Sequence, residues 1–239
     1  MKYYVGCSGY YYPGWKNIFY PPGLPNKSWL NYYSSVFNSV ELNGTFYHTP
    51  RLSSLIKYAR ETPDDFKFSV KMSRYITHVL RMKDCRHLIT DFQNLIVEGL
   101  ADKLIYFLFQ MPPSFHYNEE NLQRLINNIP NKTQNVIEFR HLSWWNNTVK
   151  KAFTDARLTF CNIDFPGLKT GFLHTSSEFY LRLHGNPELF KSSYSKQQLK
   201  KFHNKFPLNC KQHTIYFNNT YYDAGLKNAL QLMEILKST

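Results

Sequence analysis

The chain has 239 residues, 43% of them hydrophobic and 17% aromatic, with 12 Pro and 10 Gly, which is enough apolar side chain for a sizeable core and excludes a wholly disordered chain. Twenty-nine Lys and Arg against 17 Asp and Glu leave a net charge of +12. That balance favours anionic partners, small molecules or nucleic acid, and bears on association rather than on fold.

In chain order, Tyr3–Cys7 predicts the first strand and follows no apolar leader. A long aromatic loop leads to Ser28, placed to cap a helix through Phe37, and then to a strand over Ser39–Asn43. Pro50 opens a helix through Arg60, and Phe66–Lys71 is the third strand. Asp84–Gly99 carries Leu88, Phe92, Leu95 and Ile96 at helical spacing and precedes a strand over Leu104–Gln110. A helix starts at Asn118 and stops at Pro130, a strand covers Val136–Arg140, and another helix starts at Ser143. Leu158–Asp164 and Phe179–His184 are strands joined by a short connection, Phe165–Glu178, with no helical pattern. Ser195 precedes a helix over Gln197–Phe206, Thr214–Asn218 is the eighth strand, and the last helix follows Gly225, with Leu226, Ala229, Leu230, Met233 and Leu236 on one side.

Strand–helix alternation in steps of roughly 30 residues implies a parallel sheet, open or closed. One face of most strands is apolar, as in Val40/Leu42, Phe68/Val70 and Leu181/Leu183. The other turns polar at the C-terminal end: Ser8, Asn43, Lys71, Gln110, Arg140, Asp164, His184 and Asn218, with Asn162 assigned to the same face as Asp164. An open sheet covered on both sides would be apolar on both faces. The pattern predicts a (β/α)8 TIM-like barrel, one domain over 1–239, with a short sixth unit and a site at its C-terminal mouth.

Several stretches also match a known pattern: VGCSGY at the start, VELNGTFY at Val40–Tyr47, FKFSVK with ITH at Phe66–His78, VIEFRH-x-SW at Val136–Trp144, LRLHG at Leu181–Gly185 and IYFNN at Ile215–Asn219. In these the chain resembles the YecE-like family, also called DUF72. The resemblance implies a TIM-like barrel and no particular reaction.

Glu41 and Glu138 should face each other across the mouth. They suit general acid/base chemistry of the glycosidase kind, or they are the ionised halves of buried ion pairs with Lys71 and Arg140. A metal site built from Glu41, Glu138, Asp164 and His184 is opposed by the cations Lys71, Arg140 and Arg182 in the same layer, so no metal is expected. Neither G-x-x-x-x-G-K nor G-x-G-x-x-G is present, so no nucleotide cofactor is expected.

Lys71, Arg140 and Arg182 are expected to hold an anion, a phosphorylated or sugar-like small molecule. Arg74 and His78 would stand at the rim, Ser8, Asn43, Tyr47, Asp164 and Asn218 would orient the ligand, and His184 would serve as a base. The glycines and asparagines after the last strands, including Asn219 and a Gly225 with free backbone N–H groups, offer a phosphate cradle. Trp144 and the first-loop aromatics would stack on sugar or base rings, or pack the loop over the rim. Nucleic-acid binding through these aromatics and Arg81 and Lys83 is the alternative.

Four scattered cysteines, Cys7, Cys85, Cys161 and Cys210, suit a reducing compartment. The longest apolar run, Leu104–Phe109, is far below the ~20 residues that cross a bilayer. A cytoplasmic protein with no membrane partner is expected.

Overall fold

The computed structural model describes residues 1–130 and 134–238. Its strands are β1 (Lys2–Cys7), β2 (Ser39–Leu42), β3 (Lys67–Lys71), β4 (Leu104–Gln110), β5 (Asn135–Glu138), β6 (Thr159–Asp164), β7 (Glu178–Leu183) and β8 (Gln212–Phe217). All pair in parallel, in the order β1-β8-β7-β6-β5-β4-β3-β2. The helices are α1 (Trp29–Val36), α2 (Leu52–Arg60), α3 (Arg86–Leu100), α4 (Glu119–Asn128), α5 (Asn147–Asp155), α6 (Lys196–His203) and α7 (Ala224–Lys237). The segment between β6 and β7 forms no helix, as its sequence predicts. The arrangement is the expected α/β barrel, nearly closed.

The ends of the sheet, β1 and β2, are joined by side chains instead of a backbone ladder. The amide of Asn38 accepts from Val5 N (2.9 Å) and donates to Tyr3 O (2.8 Å). The Tyr33 hydroxyl accepts from Cys7 N (2.7 Å) and donates to Ser39 O (3.2 Å). Gly6 lets the two strands approach: a Cβ there would stand 1.9 Å from Ser39 O. Tyr33→Phe removes the bridge and leaves a buried N–H and C=O unpaired. It should cost about 1–3 kcal/mol, measured as a lower urea midpoint.

Two apolar clusters follow from the strand alternation. The larger lies between strands and helices. The smaller fills the lumen with Tyr106, Leu108, Val136, Cys161, Ile163, Tyr180 and Tyr216. Such layered filling makes a barrel centre a packed core rather than a pore. Tyr180 contacts both Tyr106 and Tyr216 at ring-centroid distances of 5.5 Å, and the three form an aromatic floor beneath the mouth.

Three expectations are corrected here. On β6, Asn162 and Asp164 do not face inward. Cys161 and Ile163 do, in register with Tyr180 and Arg182 of β7. The cause is the missing sixth helix: the outer face of β6 is covered by an irregular segment whose backbone needs polar partners, and Asn162 supplies them to Leu173 N (2.7 Å) and O (3.0 Å). Ser143 does not start a helix; Asn146 caps α5 by accepting from Val149 N. Gly225 lies within the first turn of α7, and its N–H is bound to Asn219 O at 3.0 Å.

Candidate functional site

The C-terminal ends of β2, β5 and β7 bring Glu41, Glu138 and Arg182 together above the tyrosine floor, each essentially without solvent exposure. One guanidinium bridges both acids. Arg182 Nη2 and Nε donate to Glu41 Oε1 at 2.7 and 3.2 Å, and Nη1 donates to Glu138 Oε2 at 2.5 Å. Glu41 also accepts from the Ser8 hydroxyl (Oε1, 2.7 Å) and the Tyr180 hydroxyl (Oε2, 2.7 Å). Burial pushes the Glu138 carboxyl up, but Arg140, Arg182 and Lys71 outweigh it and hold the group below its ordinary value. General-acid work needs a raised carboxyl pKa. The Glu138 shift is in the other direction.

Arg140 presses Nε against Glu138 Oε1, a charge contact outside hydrogen-bond alignment, and lays its guanidinium 4.2 Å over the Phe165 ring. His184 is fully buried and its Nε2 stands 3.6 Å from Glu138 Oε1. Burial, reinforced by Arg140, Arg182 and Lys71, holds its pKa well below the usual imidazole range, so the ring is neutral. With the Asn218 amide donating to Nδ1 at 2.8 Å, the ring proton lies on Nε2.

Lys71 differs from the other two cations. Among the described residues its ammonium has no carboxylate within 4.0 Å and no hydrogen bond; it sits 4.0 Å from the centroid of the Phe46 ring. Desolvation first, then repulsion by Arg182 and Arg140 against the pull of Glu138 and Glu41, lowers its pKa from 10.5 to about 7. Lys71 opens onto a cavity of about 400 Å³ with Asn43, Asn218, Tyr12 and Thr220, floored by Arg182 and rimmed by Tyr47, Phe190 and Tyr221. A second cavity of about 470 Å³, lined by Tyr10, Tyr11, His48 and Tyr58, shares Tyr12 and Asn43 with it. The buried Asn43 Oδ1 has no hydrogen-bond partner.

The other expected site residues are placed as follows. Ser8 and Glu41 lie inside the barrel, bonded to each other. Tyr47 is 71% exposed, Arg74 is exposed, and His78 stacks edge-on against Phe46. Asp164 turns away from Glu41 and Glu138: it accepts from the Tyr194 hydroxyl (2.6 Å) and Asn186 Nδ2 (3.3 Å) and so ties down the loop after β7. The four-residue metal set is therefore not assembled, and among the described residues no group of three or more His, Cys, Asp or Glu could hold a metal ion.

Trp144 does not reach the mouth. It is fully buried between the stacked rings of Phe139 and Phe115, with Nε1 donating to Phe115 O. Asn219 spends its amide on Ser192 O and Asn228 Oδ1, and Gly185 N is held by the Tyr194 hydroxyl. With Gly225 N also bound, the expected cradle of free N–H groups is absent from these positions. Most of the first loop packs on itself and on α1: Trp15 and Tyr20 are buried, and Tyr20 stacks on Trp29 of α1 at 4.5 Å.

Tyr180, which anchors Glu41, and Phe46, which underlies Lys71, were not among the expected site residues. Tyr180 shares strand parity with Arg182, and that parity is a signal that finds it. Phe46 lies in a turn after β2, where parity says nothing.

A parallel barrel with an ionic layer at its strand C-termini is of the TIM-like class. The chain belongs to the DUF72 family, whose model, described as a protein of unknown function, matches residues 4–239. It is 28% identical over 276 residues to the UPF0759 protein YunF of Bacillus subtilis (strain 168), covering 98% of this chain and 94% of that one. It is 27% identical over 139 residues to the UPF0759 protein YecE of Escherichia coli K12, covering 58% of this chain and 48% of that protein. A crystal structure of a DUF72 family protein from Thermotoga maritima superposes with TM-score 0.89 at 31% identity, covering 99% of this chain and all of the other. One from Enterococcus faecalis shares the fold, with TM-score 0.81 at 17% identity. No helix among the described residues is long and apolar enough to cross a membrane.

Proposed function

We propose that the mouth binds a small molecule carrying a carboxylate or phosphate, and that this anion pairs with Lys71. The observation that supports it is a count of charge. The ionic layer at the mouth holds three cations, the half-buried Lys71 and Arg140 and the buried Arg182, against two carboxylates, Glu41 and Glu138, and both carboxylates are taken up by the arginines. A desolvated ammonium without a counter-charge is costly. It is relieved by losing its proton or by gaining an anion. Asn43, Asn218 and Tyr12 line the same cavity and would orient the ligand, while the aromatic rim suits a sugar-like or other ring.

Arg182 does not serve as the free fork that its sequence position suggested, because its Nε, Nη1 and Nη2 all face the glutamates. Within this reading it acts as the scaffold beneath the ligand. The exposed Arg74 and Lys83 and the half-buried Arg81, bonded to Ser114 O, stand outside the layer.

Calorimetric titration with inorganic phosphate and with lactate tests the reading. Anion binding raises the Lys71 pKa from about 7, so at pH 7.5 the complex should take up a fraction of a proton, seen as a binding enthalpy that depends on the buffer. Affinity should change only a few-fold between 50 and 200 mM salt, whereas a polymer neutralised at 6–10 phosphates loses roughly 10³–10⁵. Binding of oligonucleotides alone, steep with salt and lost on neutralising Arg81 and Lys83, would replace this reading with the nucleic-acid one.

A further inference from the structure

We propose that Lys71 is a nucleophilic amine that condenses with the carbonyl carbon of a small oxo acid seated in the mouth cavity. The inference rests on the anion-binding reading and names its substrate class. Three features of the geometry carry it. The amine stands at the C-terminal end of β3, facing the cavity. No carboxylate or hydrogen bond competes for it among the described residues, and the Phe46 ring lies 4.0 Å away. Asn43, one step past the Leu42–Val70 pair and thus beside Lys71 on the neighbouring strand, offers the unpartnered acceptor Oδ1 in the same cavity.

Desolvated lysines beside other cations are the ones that act as nucleophiles at neutral pH. The charged and titratable groups around Lys71 are Glu41 of β2, Glu138 and Arg140 at the end of β5, Arg182 and His184 at the end of β7, and His78 after β3. Desolvation first, then the repulsion of Arg182 and Arg140 against the pull of the two glutamates, leaves the amine substantially unprotonated near pH 7.

In the step itself the ammonium first gives up one proton to cavity water, and that proton later returns to the carbonyl oxygen as the second of the two it takes up. The nitrogen lone pair forms the C–N bond while the carbonyl π pair moves to oxygen. That oxygen takes up two protons in all, one of them from nitrogen, and leaves as water when the C–O bond breaks. Nitrogen keeps one hydrogen in a protonated imine. One ammonium and one carbonyl thus become one iminium and one water, with charge conserved and no oxidant or reductant required. The iminium stands where the ammonium stood, so the oxo acid's own carboxylate balances it in a layer otherwise neutral. The Asn43 amide would accept from the carbinolamine hydroxyl.

Reductive trapping tests this on the full chain. Pyruvate with sodium cyanoborohydride at pH 7, followed by peptide mapping, should place the adduct on Lys71 at least tenfold faster than on any other lysine. The rate should rise with a midpoint near neutrality, and Lys71→Arg, with its fold checked by circular dichroism, should abolish the fast adduct. Adducts spread evenly over surface lysines would overturn the proposal. If lactate binds but pyruvate is not trapped, the anion reading stands and the condensation is overturned. If acetaldehyde is trapped at Lys71 as fast as pyruvate and lactate does not bind, both the oxo-acid assignment and the anion reading fall.

Discussion

Arg182→Met should unfold or nearly unfold the protein at neutral pH. The guanidinium is the shared partner of two fully buried carboxylates, Glu41 and Glu138. Removing one member of a buried ion pair costs about 3–5 kcal/mol because a charge is left uncompensated; here Glu41 loses the one cation that pairs with it among the described residues, and Glu138 is left with Arg140 alone. Whole-domain stabilities are only about 5–15 kcal/mol. The sign of the pH dependence should also reverse. In the native protein the Glu138 pKa is depressed, so it contributes stability above the ordinary carboxylate pKa that is lost as pH falls through the folded value. In the variant a buried carboxylate left without its cation disfavours its charged form, and stability is lost as pH rises from the ordinary carboxylate range. Urea midpoints from pH 5 to 8 should therefore decline for the variant, and adding Glu41→Gln and Glu138→Gln should recover much of the loss. An unchanged midpoint at pH 7 would show that the triad is not the structural centre of the mouth.

Lys71→Met should weaken phosphate binding by about ten- to a hundredfold, the 1.5–3 kcal/mol of a charge-assisted contact. It should also change stability in the opposite sense to the arginine variant. The Lys71 pKa is lowered from 10.5 to about 7, so between those values the unfolded chain holds a proton that the folded chain does not. Stability then rises with pH across that window by at most about 1.4 kcal/mol per pH unit; access of cavity water to the amine reduces this. Below pH 7 both states are protonated and the cost of burying the ammonium is present in full. Methionine fills the space over Phe46 without charge. Its stability profile should be flatter from pH 7 to 10, and at pH 6 the variant should be the more stable protein. Equal slopes in both proteins would contradict the burial of an unmatched cation.

The parity of inward residues was legible in the sequence wherever a helix covers the strand outside. Glu41, Lys71, Glu138, Arg182 and His184 all lie at the mouth, because apolar neighbours on the same strands face the helices. The rule failed at β6, where no helix follows and the outer face needs polar residues, so Asn162 and Asp164 point out and Cys161 and Ile163 fill the lumen. Cations alone did not show which of them is matched. That depends on one guanidinium spanning two acids 97 residues apart in sequence (138 − 41), a long-range distance that no spacing encodes. The aromatic abundance was ambiguous for a similar reason. Trp144 and Trp15 serve packing, while Tyr47 and Tyr221 stay exposed at the rim, and the difference lies in which loop turns back on the barrel.

Among the described residues, Lys71 is the cation of the mouth that no carboxylate approaches within 4.0 Å. The most direct measurement is the titration of lysine side chains by NMR, using protein labelled at the lysine ε-carbons, with Lys71→Met identifying the resonance. One lysine should titrate near pH 7, well below the ordinary value of about 10.5, and saturating phosphate should move that midpoint upward. A Lys71 resonance that titrates with the surface lysines, or that phosphate leaves unmoved, would show that Lys71 is not a desolvated cation awaiting an anion.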